Sequence, residues 1–254
     1  MTIDAHAHLT QSTDAGARVR ELKALGFTAS IQGGVGPEDW HRQLELSGRY
    51  PDFVKPVLGL HPWWVLEHSR EECLESLDTL QRLLTTHSEV VALGELGLDF
   101  FRDQKKDPSG VQQEVFERQL VMAHAHQLPL VLHSVHAHEV TLETLKRHQK
   151  SGSGAPLRGI VHAFSGSYEV AQHYLKLGLK LSVGPGIAEP GRFKQLKAAL
   201  PRLASSDWVL ESDGEGQELF QAARASAGLT GESPEVVLKR SSQTVARIFL
   251  GQKP

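Results

Sequence analysis

The strongest constraint on the fold is a repeated alternation. Eight short apolar runs are each followed by a longer stretch with apolar residues at helical spacing. The runs are "TIDAHAHL", "FTASIQGG", "VKPVLGLHP", "VVALGELGLD", "PLVLHSV", "GIVHAF", "KLSVGPG" and "WVLESD". Helical segments between them include residues 17–26 and 115–127, and Gly26 and Gly178 fall where helices would stop. Strands that alternate with helices pair in parallel, because parallel neighbours need a crossover and a helix supplies it. Eight is also the strand number that closes a TIM barrel. A doubly wound open sheet is the rival arrangement. No linker rich in Pro, Gly or Ser divides the 254 residues, so the expectation is one α/β TIM-barrel domain over residues 1–254. Residues 150–159 read as a loop into the sixth strand. The last helix, about residues 234–250, is expected to pack on the outside of the barrel.

Charge and cysteine usage narrow the partners. A net charge of −3 supplies no global positive field to hold a phosphate backbone or an anionic membrane, so any attraction for nucleic acid must be local. Cys73 is the only cysteine, which excludes an internal disulfide and suits a reducing compartment. Its place in "EECLESL" reads as a thiol buried under a helix. The start "MTIDAHAHL" lacks the basic and apolar segments of a secretion signal, and no apolar run approaches the roughly 20 residues needed to span a bilayer. The expected location is the cytoplasm, with no membrane partner.

Polar groups interrupt the apolar runs near their carboxyl ends, the rim on which barrel active sites assemble. His6 and His8, two residues apart on the first strand, project to one face. Glu95 lies near the end of the fourth run, His133 the fifth, His162 the sixth and Asp213 the eighth. Each alone is as readily a buried, hydrogen-bonded residue as a ligand. Burying four imidazoles and two carboxylates together without a cation is costly, so the set points to a metal centre. These nitrogen and oxygen donors exceed the roughly three or four that one catalytic zinc takes from protein. They suggest two divalent ions, with a carboxylate such as Glu95 able to bridge. The mixed donors suit Zn, Mn, Fe or Mg.

The ordered set "DAHAHL", "GLHPWW", "GELGLDFF", "LHS", "HAFSGS" and "ESD" resembles the TatD family of metal-dependent hydrolases, a branch of the amidohydrolase-type TIM barrels. The resemblance runs over nearly the whole chain. It implies a deoxyribonuclease or related phosphodiesterase that depends on divalent metal (Mg, Mn or Zn), often an exonuclease, acting on DNA or another phosphodiester. It further implies that His6, His8, Glu95 and Asp213 hold one ion and that Glu95 bridges to a second held by His133 and His162. Asp213 would orient or deprotonate the attacking water, and His61, from "GLHP", would lie beside the site and contact a substrate phosphate. Two divalent ions bring about +4 against the roughly −2 of Glu95 and Asp213, which makes the pocket locally positive despite the chain's overall charge.

Departures from the family pattern fall on elements that would face substrate. Val135 stands where an arginine is common after the fifth-strand histidine, and Ser212 where threonine is usual. Thr244 stands where asparagine is common before the terminal "RIF", and "SDGEGQELF" replaces segments that contain proline and asparagine. Trp63 and Trp64 offer faces for base stacking, with half-buried rim aromatics as the alternative. His136 and His138 are expected to begin the next helix as solvated residues, and His124 and His126 to lie in a helix with no ligand role. Arg102, Lys105 and Lys106 follow the fourth strand, where substrate contact and a solvated loop are both open.

Two rivals accompany the nuclease expectation. The same barrel can hydrolyse another ester or amide, such as a lactone or an aminoacyl ester on transfer RNA. A non-catalytic, metal-stabilised subunit that binds nucleic acid or a protein partner is the second.

Overall fold

A computed structural model describes residues 2–103, 107–151 and 156–251. Lys105 and Lys106, and residues 152–155 of the loop expected at 150–159, lie outside the described residues. The strands are β1 (Thr2–Ala7), β2 (Phe27–Gln32), β3 (Val54–Lys55), β4 (Val57–Leu58), β5 (Ala92–Asp99), β6 (Leu130–Val135), β7 (Gly159–Val161), β8 (Lys180–Val183) and β9 (Trp208–Leu210). The helices are α1 (Ala15–Ala24), α2 (Pro37–Arg49), α3 (Pro62–Glu67), α4 (Arg70–Thr86), α5 (Val111–Ala125), α6 (His138–Ser151), α7 (Tyr168–Lys176), α8 (Lys194–Ala199), α9 (Leu219–Thr230) and α10 (Pro234–Phe249). Among the described residues no helix is long and apolar enough to cross a membrane.

All eight apolar runs are strands, and the third is split into β3 and β4 at Pro56, which has no N–H to give a ladder. In hydrogen-bond terms there are two parallel sheets, β1-β2-β3 and β4-β5-β6-β7-β8-β9, which the chain joins through that proline. The other seam falls between β9 and β1. It is bridged by the Asp213 N–H on the His6 carbonyl at 3.1 Å and the His8 N–H on the Gly214 carbonyl at 2.8 Å. Asp4 adds a side-chain bridge, its Oδ1 accepting from the Ser212 N–H at 3.0 Å. Burial pushes the Asp4 carboxyl up to about 8 against the Ser212 and His6 bonds that lower it.

Inward-facing Ile3, Ala5, Ala29, Ile31, Val57, Ala92, Val131, Ile160 and Val209 form one buried cluster. A single cluster fed from β1 and β2 of one sheet and from β4, β5, β6, β7 and β9 of the other, across both seams, is what a barrel interior produces and an open sheet does not. Each fully buried valine or isoleucine contributes roughly 1.5–3 kcal/mol relative to exposure. Outward-facing residues of the same strands, among them Leu58, Leu93, Leu132 and Val161, pack with helix residues such as Leu77, Phe116 and Leu145 in a second shell of core.

The helix boundaries follow local chemistry. Asp14 caps α1 by accepting from the Ala17 N–H, Ser69 and Glu72 form a reciprocal capping box on α4, and Ser233 caps α10. Gly26 and Gly178, after α1 and α7, have φ of 88° and 100°, as the helix stops predict. Cys73 is buried in α4, where its thiol is pushed up to about 11 by burial.

The expectation for α10 is corrected. Val245, Ala246, Ile248 and Phe249 join the inward-facing cluster, at the end where the strands begin, so this helix closes the floor of the barrel. The Ser242 Oγ accepts from the Ile3 N–H at 2.9 Å and the Ser241 Oγ from the Leu210 N–H at 2.8 Å. An amphipathic pattern marks an apolar face but does not say whether a strand flank or an open barrel end will cover it.

Candidate metal centre

The opposite end of the barrel gathers the predicted polar residues. The register of β1 shifts between Asp4 and Ala7, so Ile3 and Ala5 serve the lower interior while His6 and His8 meet at the mouth. Their rings are 4.8 Å apart and their Nε2 atoms 3.2 Å apart. Glu95 projects from β5 and is 2% exposed. Its Oε1 lies 3.4 Å from Nε2 of both His6 and His8. Its Oε2 faces the other side: 3.4 Å to His133 Nδ1, 3.1 Å to His162 Nε2 and 3.4 Å to His61 Nε2. Asp213, just beyond β9, stands 3.8 Å and 3.6 Å from the His6 and His8 nitrogens through Oδ1, and 39% of its side chain is open to the mouth.

Glycine makes the position of Glu95 possible. A Cβ at Gly34 would lie 2.1 Å from the Gly94 carbonyl oxygen, and one at Gly59 would lie 2.6 Å from the Gly94 carbonyl carbon. The two loops after β2 and β4 therefore close on the backbone beside Glu95, whose N–H donates to the Gly34 carbonyl at 2.9 Å. The Gly94–Glu95 peptide is cis.

The donor set fits divalent cations. Ligand atoms about 2.0–2.1 Å from one tetrahedral centre stand roughly 3.3–3.4 Å from each other, and the His6, His8 and Glu95 atoms have that spacing. Among the described residues three groups have ligand atoms within 4.8 Å of one another: His6, Glu95 and His162; His6, His8 and Asp213; His61, Glu95 and His133. The buried Nδ1 of His133, the atom that faces Glu95, has no aligned hydrogen bond. Electrostatics point the same way. Burial disfavours charge on His162, yet Glu95, Glu211 and Asp213 drive it up to about 10. Burial also opposes ionisation of Glu95 and Asp213, but surrounding imidazoles hold both below the usual carboxylate range. The centre calls for positive charge.

His61 sits inside the cluster rather than beside it. Its Nδ1 accepts from the Trp63 N–H at 3.0 Å, so the proton of the neutral ring is on Nε2. Burial pushes His61 down to about 4, against Glu95 which raises it. His61 thus presents an N–H donor to the centre, toward Glu95.

Two carboxylates that the sequence reading left without roles stand behind the histidines. Asp99, at the end of β5, faces His133 Nε2 at 3.1 Å, which leaves Nδ1 for the centre. It also accepts from Trp63 Nε1 at 2.6 Å and from the Phe101 and Arg102 N–H groups at 2.9 Å each. Glu211 faces His162 Nδ1 at 3.4 Å and accepts from the Ala163 N–H at 2.6 Å, which leaves Nε2 for the centre. Such partners fix the tautomer and orientation of a ligating imidazole. A signal was available: Glu211 is two residues before Asp213, and Asp99 is four after Glu95 on one strand.

The remaining candidates divide. Trp63 is tied to Asp99 and carries the Arg102 guanidinium 4.2 Å from its ring centroid, and Arg102 also pairs with Glu67 at 3.3 Å. Trp64 is half-buried and stacks on His68 at 3.7 Å. His136 is exposed as expected, but His138 is only partly exposed. Its Nδ1 lies 3.0 Å from the Tyr174 hydroxyl and 3.2 Å from Ser134 Oγ. His124 lies in the last turn of α5 and stands apart from the cluster, as does His126, which falls just past the end of the helix as its C-cap and bonds Gln81.

The site and fold have counterparts. The model of the TatD related DNase family matches residues 3–249. The uncharacterized metal-dependent hydrolase YjjV of Escherichia coli is 34% identical over 216 residues, covering 83% of this chain and 78% of its own. A crystal structure of YjjV superposes with a TM-score of 0.82 over 98% of both chains. A 3'-5' ssDNA/RNA exonuclease TatD from a Rahnella species is 28% identical over 77% of this chain and 70% of its own. A family match over nearly all of the sequence, on a barrel that brings the motif residues to one mouth, places this chain in the family of TatD-related DNases.

Proposed function

We propose that the protein hydrolyses phosphodiester bonds in DNA, removing nucleotides from an end, with two divalent ions at the barrel mouth. The observation that carries the reading is the division of Glu95: one carboxylate oxygen faces His6 and His8, the other faces His133 and His162. In this assignment His6, His8, Glu95 and Asp213 hold one ion, and Glu95, His133 and His162 the second. Bound divalent ions would acidify a water, polarise the phosphoryl group and offset its developing negative charge. Nuclease names among the relatives support the substrate class.

The chain's own groups supply the rest. Asp213, the most open of the carboxylates at the mouth, orients the attacking water and takes its proton. His61 donates from Nε2 to a phosphate oxygen, a role its neutral tautomer suits. Asp99 and Glu211 keep His133 and His162 aimed at the centre. The whole chain acts as one barrel domain, and the lone buried thiol of Cys73 accords with a cytoplasmic setting.

The test is metal-stripped protein assayed on single-stranded DNA, RNA, a chromogenic phosphodiester and an aminoacyl ester, with Mg, Mn or Zn restored separately. DNA and diester cleavage should return with metal, at a stoichiometry near two per chain, and Asp213→Asn should lower it by roughly a hundredfold or more while the fold persists. Full activity without metal, or ester hydrolysis with no diester cleavage, would overturn the assignment.

A further inference from the structure

Asp213 also borders a second feature, a cavity of about 180 Å3 that opens beside the metal centre. Its walls include Phe164, Pro185, Gly186, Phe193 and Leu196, and Asp213 joins it to the site. Pockets for drug-sized ligands begin at roughly 300 Å3, so this one has room for a single planar ring rather than a whole nucleotide.

The cavity wall is built at a conformational cost. Phe193 lies in the left-handed region, with φ 51° and ψ 35°, which a bulky residue rarely adopts. That backbone seats its ring against Gly186, where a Cβ would come within 2.3 Å of the ring. Next to it, the Arg192 guanidinium lies 5.3 Å from the ring centroid and is held by Glu189 at 2.8 Å and 2.9 Å. Glu189 lines the cavity too and pairs with Arg192, so the rim brings no free cation, and it is the apolar ring wall of Phe193 that suits a flat heteroaromatic group. The two tryptophans at the mouth are less suited, since Trp64 is stacked on His68 and Trp63 is bonded to Asp99 under Arg102.

We propose that this cavity receives the base of the nucleotide whose phosphodiester is cut, with Phe193 as its stacking wall. The inference rests on the phosphodiesterase reading and deepens it. A base must leave its stack and its pairing partner to enter, a demand that the single-stranded substrates named for relatives already meet.

The test compares kcat/KM on a single-stranded oligonucleotide with a natural terminal base and on the same oligonucleotide ending in an abasic residue. Each value is taken for the wild type, Phe193→Ala and Phe193→Tyr, with a chromogenic diester as a control. The wild type should favour the base-bearing substrate by about tenfold or more, the range of one base–aromatic stack. Phe193→Ala should bring that ratio close to one, and Phe193→Tyr should keep it. The ratio is internal to each preparation, so a partly unfolded variant does not distort it. A wild-type ratio near one, or a full ratio in Phe193→Ala, would overturn the base site alone. Failure to cleave either oligonucleotide or the diester would overturn the phosphodiesterase reading and the base site with it.

Discussion

The approach of two loops to the backbone beside Glu95 can be tested with one methyl group. In Gly59→Ala the new Cβ would lie 2.6 Å from the carbonyl carbon and oxygen of Gly94 and 2.8 Å from its Cα. Ordinary contact begins near 3.4 Å, so the backbone must yield by about 0.8 Å, because the three nearest atoms all belong to the backbone. Overpacking of this kind costs roughly 1–3 kcal/mol of stability. The displaced peptide is the one that leads into Glu95, and catalytic constellations tolerate only about 0.5 Å. A misplacement near 1 Å costs on the order of a hundredfold in rate. The assay is kcat/KM on single-stranded DNA, metal content by elemental analysis, and thermal unfolding. Gly48→Ala is the control, because that exposed glycine of α2 has nothing within 4 Å of its Cβ position. It should gain about 0.5–1 kcal/mol with unchanged kcat/KM. Wild-type activity and stability in Gly59→Ala would refute the claim that the glycines set the position of Glu95.

Other outcomes follow from the same geometry. Asp99→Asn keeps the shape but weakens the hold on His133, so metal affinity and activity should each fall about 10–100-fold; equal metal affinity in titrations of wild type and variant would remove Asp99 from that role. Glu211→Gln should act in the same direction through His162, and a double variant that loses no more than either single would place both carboxylates in one unit. His138, bordered by Tyr174, Ser134, Phe164 and the exposed His136, is pushed down to about 4 by burial, with His136 adding to it. Because the unfolded chain binds this proton more readily, the stability His138 supplies is complete above pH 6.5 and is lost as pH falls towards 4. The loss amounts to at most about 3 kcal/mol. Urea midpoints for wild type and His138→Asn should therefore converge between pH 7 and pH 4, and a constant gap would contradict the buried neutral imidazole.

Much of the barrel was legible because strand ends in a parallel α/β fold carry their own signature. Apolar runs broken by His6, His8, Glu95, His133, His162 and Asp213 at their carboxyl ends need only the ring to bring them together. What escaped depends on neighbours distant in sequence. Asp99 and Glu211 become orienting partners only once β6 lies beside β5 and the ends of β7 and β9, with β8 between them, converge on the mouth. The spacing at Gly34 and Gly59 exists only between loops, and a lone glycine in a sequence does not say what approaches it. The sequence places His61 only near the site, since its cap bond to Trp63, which fixes the ring inside the cluster, arises from the turn into α3. The placement of α10 failed for a simpler reason: the same apolar stripe serves a flank or a floor.

That floor has a consequence for how the chain is made. The first strand and the last are held at their bases by hydroxyls of one helix, Ser242 on Ile3 and Ser241 on Leu210, while their upper ends carry His6, His8 and Asp213. A ribosome releases His6 some 230 residues before Ser242, at roughly 5–20 residues per second. For that interval, about ten seconds or more, the histidines at the start wait on a strand whose final neighbour and anchor do not yet exist. A cation held by all of these groups would be captured only after the last strand has delivered Asp213, with the helix that anchors both strands still to come.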